Sequence, residues 1–266
     1  MLIIIGERIN STRKAIAEAI RARDAAVIQK EACEQVRAGA HYLDVNAAAL
    51  LENEPVHMEW LVNTVQQAVE VPLCLDSPSP EALAAGLSAH RGRALVNSIS
   101  AERSRAQAIL PLVRQHDAEV IGLTIEESGI PTTAAERARL AQAVVAIAAE
   151  YGIQQERIFI DPLVRCVASE PTQGREVLEA MRAISQALPK VKIVCGLSNV
   201  SYGLPRRGLL NRTFLAMCMA AGLSAAVLDP LDKHLMSTLR AAEALRGQDE
   251  FCLEYLRAHR ENRLLH

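Results

Sequence analysis

Short apolar runs recur along this 266-residue chain, and the residues at their ends are chemically uniform. They are Glu7 and Asn10, Asp44 and Asn46, Asp76 and Ser77, Asn97 and Ser98, Thr124 and Glu126, Asp161, Ser198 and Asn199, and Asp229. All are carboxylates, amides or hydroxyls; none is Lys, Cys or His. Such a set mostly accepts hydrogen bonds. It suits a planar heterocycle rich in N–H donors, because an amino-pyrimidinone edge presents two parallel donors that one carboxylate can take together. A phosphate-bearing ligand fits less well. Magnesium held by Asp and Glu is disfavoured, since the carboxylates belong to different runs and no His-x-x-Glu or His-x-Cys spacing is present. Helix capping is the competing explanation for the Ser and Asn positions, including Ser198-Asn199. It does not readily explain Asp after each of four apolar runs, where a buried carboxylate is costly without a donor.

The elements that must hold these residues repeat one pattern. Apolar runs at Leu2–Gly6, His41–Val45, Val71–Leu75, Ala94–Val96, Glu119–Leu123, Arg157–Ile160, Val191–Gly196 and Ser224–Leu228 alternate with stretches of helical apolar spacing. The helices are predicted at about 12–37, 58–69, from Ser79-Pro80-Glu81 onward, 101–116, 133–151, 174–188, 209–221 and 232–245. Ser79 caps with Pro80 in the first turn, and Gly152 closes the fifth helix. Strands that are apolar throughout are buried on both faces, and eight strand–helix units in about 250 residues specify a (β/α)8 barrel. A doubly wound open sheet is the alternative, but Gly6-Glu7-Arg8 has no G-x-G-x-x-G continuation. Ligands then belong at the strand C-termini, which is where the acceptor residues stand. One domain, 1–266, is expected, with an amphipathic helical extension over about 249–266.

Composition narrows the function classes. Half of the residues are apolar, and 29 basic against 31 acidic side chains leave a net charge of −2. With one Trp, four Tyr and three Phe there is no basic, stacking-rich surface for nucleic acid. No apolar run approaches a membrane span, and Met1–Ile5 is too short for a signal peptide, so a cytoplasmic protein is expected. The six cysteines lie far apart without a C-x-x-C pair and are read as reduced, buried thiols.

Taken together, Gly6-Glu7-Arg8-Ile9-Asn10, Leu43-Asp44-Val45-Asn46, Cys74-Leu75-Asp76-Ser77, Asn97-Ser98, Gly122-Leu123-Thr124, Ile160-Asp161-Pro162-Leu163, Gly196-Leu197-Ser198-Asn199-Val200-Ser201 and 210–217 resemble the methyltetrahydrofolate:corrinoid protein methyltransferases. The resemblance runs in order over nearly the whole chain. It implies a pterin-binding barrel like that of dihydropteroate synthase, with methyltetrahydrofolate or tetrahydrofolate as substrate and the corrinoid carried by a separate partner protein. It implies a homodimer, and no metal bound by this chain. It also implies that Asp76, Asn97 and Asp161 hold the pterin ring and that Asn199 reaches N5 as the catalytic residue; Glu7, Asn10, Asp44, Asn46, Gly196, Ser198 and Arg207 complete the candidate pterin contacts.

Two other readings stay in view. Dihydropteroate synthase carries a Lys after its seventh strand and Arg-x-His at its eighth, whereas the matching places here read Ser198-Asn199 and Leu228-Asp229-Pro230. A pterin-binding protein without catalysis would need Asp76, Asn97 and Asp161 but nothing at Asn199. Asp232-Lys233-His234 imitates the start of a cobalt-ligating Asp-x-His-x-x-Gly loop, but Ser237 stands at the final position, and a helix cap is the expected role of Asp232.

Overall fold

The computed structural model describes residues 1–50 and 52–265. Eight parallel strands close into a barrel in sequence order: β1 (Ile3–Asn10), β2 (Tyr42–Asn46), β3 (Leu73–Asp76), β4 (Leu95–Ser100), β5 (Glu119–Leu123), β6 (Ile158–Asp161), β7 (Lys192–Gly196) and β8 (Ala225–Leu228), with β8 pairing back onto β1. Around them lie α1 (Lys14–Ala22), α2 (Ala25–Arg37), α3 (Glu54–Gln66), α4 (Pro80–Ala89), α5 (Arg103–Gln115), α6 (Ala134–Glu150), α7 (Gln173–Ala187), α8 (Arg207–Ala220) and α9 (Lys233–Leu245), followed by α10 (Leu253–Arg260). Closure excludes the open doubly wound sheet.

Apolar strands serve two cores. Outward side chains such as Leu43, Leu75 and Ile160 pack under the helices, while Ile5, Cys74, Leu95, Ile121, Phe159, Val194 and Ala225 fill the barrel. Strand tilt sets the depth of every inward residue. The pairing Asp76↔Asn97↔Ile121↔Phe159↔Lys192 starts at the last residue of β3 and ends at the first residue of β7. One lateral row therefore descends from the barrel's mouth to its floor.

Several local signals act as expected. Ser79 Oγ accepts from Ala82 N at 3.1 Å above Pro80, Thr133 and Glu136 form a reciprocal capping box, and Gly152 takes a positive φ of 77° after α6. Asp232 caps α9 through Leu235 N at 3.0 Å and His234 is exposed, so this segment is a helix start.

Elsewhere the structure corrects the sequence reading. The helix predicted over 12–37 is two helices, broken at Arg23, which sits at φ 55°, and restarted by Asp24, whose carboxylate accepts from Val27 N at 3.3 Å. Both pieces bury an apolar stripe, so the period runs on across the break. The helix expected from Met58 begins at Glu54, with Pro55 in its first turn. β1 continues past Gly6 to Asn10 with a register shift between Gly6 and Ile9, which places Glu7 and Arg8 in an irregular stretch of strand. Cys74, Cys195 and Cys218 are buried thiols, but Cys33 and Cys166 are half-buried and Cys252 is exposed. No helix among the described residues is long and apolar enough to cross a membrane.

Candidate active site

The deepest acidic residue of the mouth is Asp44. It lies inside β2, one inward position below Asn46, is only 3% exposed, and its Oδ1 has no hydrogen-bond partner. Burial, then the neighbouring Asp76 charge, push its carboxyl well above the ordinary range, with Cys74 and Asn97 opposing as hydrogen-bond donors. Burial in this setting favours the neutral form of the acid. Asp76 closes β3, Asn97 lies within β4, and the two are paired with one another in register.

Asn46 holds Asp76 in place. Its Nδ2 donates to Asp76 Oδ2 at 2.8 Å, while its Oδ1 accepts from Ser11 Oγ at 3.1 Å and from Ala48 N at 3.0 Å. The amide is thereby fixed in one orientation. Burial raises the Asp76 carboxyl against the pull of that bond and of the Arg105 charge.

Asp161 ends β6. Burial lifts it to about 7, although the backbone N–H groups of Leu163, at 2.7 Å, and Gly196 oppose the shift, as does the Arg137 charge. Arg137 itself is fully buried on α6, donating to Gln173 Oε1 at 2.6 Å. On the far side of the mouth, burial and the adjacent Asp229 raise Glu7. Asp229 is not a free acceptor: Arg8 Nη1 donates to its Oδ2 at 2.7 Å, and Arg8 Nε pairs with Glu31.

Asn199 sits on a short 3-10 turn, Leu197–Ser201, directly above β7, and its side chain is exposed to the mouth. Its Nδ2 lies 3.1 Å from where a Cβ on Gly196 would stand, so the missing side chain lets the amide fold back over the strand end. Arg207 straps this turn down. Its Nη2 donates to Ser198 O at 2.7 Å and its Nε to Ser201 Oγ at 3.0 Å, while Ser201 Oγ donates to Asn211 Oδ1 at 2.6 Å. Asn10 is turned locally: its Oδ1 accepts from Thr12 N at 3.0 Å and from Thr12 Oγ1 at 2.7 Å. Thr124 is buried under Asp161, donating to its backbone carbonyl, and Glu126 pairs with Arg139. Among the described residues no cluster of His, Cys, Asp and Glu is arranged to hold a metal ion.

The strand C-termini thus present raised carboxyls and side-chain amides around an opening, with guanidinium groups engaged behind rather than inside it. Residues 6–229, from the first acidic strand end to the last, match the model of the pterin-binding enzymes. The chain belongs to that family. A full-length relative, the methylcorrinoid:tetrahydrofolate methyltransferase of Eubacterium limosum, is 36% identical over 265 residues, covering 99% of this chain and 98% of that protein. Methionine synthase of Mycobacterium tuberculosis is 33% identical over 239 residues, 85% of this chain but 20% of that longer protein. Among solved structures, dihydropteroate synthase from Xanthomonas albilineans in complex with 7,8-dihydropteroate superposes with a TM-score of 0.71 at 18% identity, covering 94% of this chain and 93% of that one. That last likeness is one of fold.

Arg8 and Arg105 are the mouth residues that sequence reasoning missed. Arg8 stands in the Gly6-Glu7-Arg8-Ile9-Asn10 stretch but its partner Asp229 is 221 residues away, and Arg105 stands in no motif.

Proposed function

We propose that this protein is a methyltransferase that moves the N5-methyl group between methyltetrahydrofolate and the cobalt of a separate corrinoid protein. The observation that carries this is 36% identity over 99% of the chain to a methylcorrinoid:tetrahydrofolate methyltransferase, joined to a mouth that offers carboxylates and amides. Where dihydropteroate synthase would need cations after β7 and β8, the chain has Ser198-Asn199 and Asp229, the latter already bound by Arg8. A corrinoid on the partner protein supplies the cobalt centre that exchanges the methyl group. The remaining work falls to this chain.

Asp76 and Asp161 accept the ring N–H donors of the pterin, and Asn97 meets its mixed donor and acceptor edge. Asn46 orients Asp76, and burial biases Asp44 beneath it toward its neutral form, which limits a second negative charge there. Glu7, Asn10, Gly196, Ser198 and Arg207 complete the surround, the last through the turn that carries Asn199. Breaking the carbon–nitrogen bond leaves electron density on N5, which departs badly unless hydrogen-bond or proton density builds there. Asn199 cannot act as an acid at neutral pH. Its amide N–H donates to the lone pair that builds on N5 as the bond breaks, and once N5 carries a proton the amide oxygen can accept from it, effects larger in the transition state than in binding. The chain, 1–266 with its helical tail, is assigned to the cytoplasm as a homodimer.

Mixing the protein with cob(I)alamin and methyltetrahydrofolate should bleach the reduced-cobalt absorption and produce methylcobalamin. Asn199→Ala should slow that step by about 10²–10³, the usual effect of removing one such donor, while changing folate affinity far less. Absence of methylcobalamin would overturn the reaction class, and dihydropteroate formed from a pterin pyrophosphate and aminobenzoate would replace it. A parent-like rate in Asn199→Ala would return Asn199 to a turn-capping role.

A further inference from the structure

Arg105, on the first turn of α5, touches none of the mouth side chains, yet its whole guanidinium faces the strands that carry two of them. Nε donates to Ser98 O at 2.9 Å, Nη1 to Pro78 O at 2.9 Å and Nη2 to Ser77 O at 3.2 Å. Ser77 comes directly after Asp76, and Ser98 directly after Asn97. The two segments are also bonded to each other, Ser77 N donating to Asn97 O at 3.1 Å. Among the described residues no carboxylate lies within ion-pair distance of Arg105, so its planar fork is committed to three backbone carbonyls. A long, rotamer-rich side chain held in this way fixes the separation of two chain segments rather than neutralising a charge.

We propose that Arg105 is a positioning residue for the pterin-holding pair, clamping the residues that follow β3 to Ser98 within β4 so that Asp76 and Asn97 present one edge at fixed spacing. This rests on the assignment of those two residues to the pterin. The clamp acts on binding geometry, because a displacement of the acceptors weakens every bond they make to a rigid ring. Its charge has a second effect. Asp76 faces Asn46 and Asp44 from β2, Glu54 from α3 and Arg105 from α5; burial and Glu54 raise its carboxyl, while Asn46 and Arg105 lower it. Arg105 is the cation that favours the ionised, accepting form of Asp76.

Arg105→Met, Arg105→Lys and Asp76→Ala separate these roles when methyltetrahydrofolate affinity is measured by calorimetry between pH 5.5 and 8.5, with steady-state rates at matched pH. Arg105→Met should weaken binding about tenfold or more, the scale of one or two lost charge-assisted bonds, and raise KM by more than it lowers kcat. The pH midpoint of binding should move to higher pH, which a purely structural role would not cause. Arg105→Lys keeps the charge and loses the fork, so its midpoint should match the parent while affinity falls several-fold. It also serves as the test if Arg105→Met fails to fold. Parent-like affinity in Arg105→Met, or in Arg105→Lys, overturns the clamp provided that Asp76→Ala binds weakly. Parent-like affinity in Asp76→Ala removes Asp76 from the pterin site, and the clamp with it.

Discussion

The two ends of this barrel treat buried acids in opposite ways. At the floor, Glu119 is almost fully buried, but Tyr42 Oη donates to its Oε2 at 2.6 Å and Lys192 Nζ to its Oε1 at 2.8 Å. Lys192 also donates to Glu156 O at 2.9 Å and lies 4.4 Å from the centre of the Phe159 ring, which Tyr42 meets edge-on at 6.4 Å. The floor's carboxylate thus has both of its oxygens engaged. At the mouth, Asp44 keeps an unpartnered oxygen, and Asp76 and Asp161 are lifted without a cation bonded to either. A folded chain able to satisfy an acid so fully at one end leaves the other end unsatisfied for a reason, and the natural complement is a ligand that brings the missing donors.

The largest effect that would sharpen this contrast lies at the floor. Lys192→Met leaves Glu119 with Tyr42 alone, and loss of a charge-assisted bond to a buried carboxylate should lower stability by about 2–3 kcal/mol in chemical denaturation. Folate affinity at a given pH should stay near the parent value. If affinity falls further than stability does, the floor takes part in the site and the division between the ends fails.

The mouth should behave the other way round. With its folded carboxyl raised to about 7 from an ordinary 3.8, Asp161 keeps a proton that the unfolded chain has lost. Stability contributed by this group is therefore present at low pH and declines as pH climbs through that window. Asp161→Asn removes the decline. The ligand-free variant should be more stable than the parent at pH 7.5, by about 1 kcal/mol or roughly 2–4 °C in melting temperature. The gain should shrink toward pH 4.5. Folate binding moves in the opposite sense, since the parent should lose affinity as pH falls below about 7 and the variant should bind weakly throughout. A lower melting temperature for Asp161→Asn at pH 7.5 would mean that this acid is satisfied by the protein itself.

How much of this was legible in the sequence depended on range. Strands buried on both faces wrote themselves as apolar runs, and caps such as Ser79, Thr133 and Asp232 are local enough to be read directly. Depth was not legible. Asp44 and Asp76 both come after apolar runs, yet Asp44 pairs with Cys74 and lies one inward position lower, because strand tilt and not strand length decides which residue reaches the mouth. Asp229 looked like one more acceptor until Arg8, 221 residues away, was seen to occupy it. Arg105 looked like an ordinary helix residue, since nothing in a helical period marks a guanidinium that reaches back to the backbone around Ser77 and Ser98.

The smallest predicted effect probes how Asn199 is held. Gly196 has φ −74° and ψ 92°, which any L-residue can adopt, so Gly196→Ala carries no backbone strain. What it adds is a methyl group 3.1 Å from Asn199 Nδ2. Asn199 is exposed and can give way, so stability should change by no more than about 0.5 kcal/mol. The amide, however, must move by a few tenths of an ångström from its rest above β7, and displacement of a donor aimed at a reacting nitrogen is felt in rate before affinity. Methyl transfer should slow about three- to tenfold, with a smaller change in folate affinity. An unchanged rate would show that folate binding rebuilds the 197–201 turn regardless of where the amide rests. An affinity loss exceeding the rate loss would assign the close approach at Gly196 to the pterin, leaving Asn199 a bystander to it.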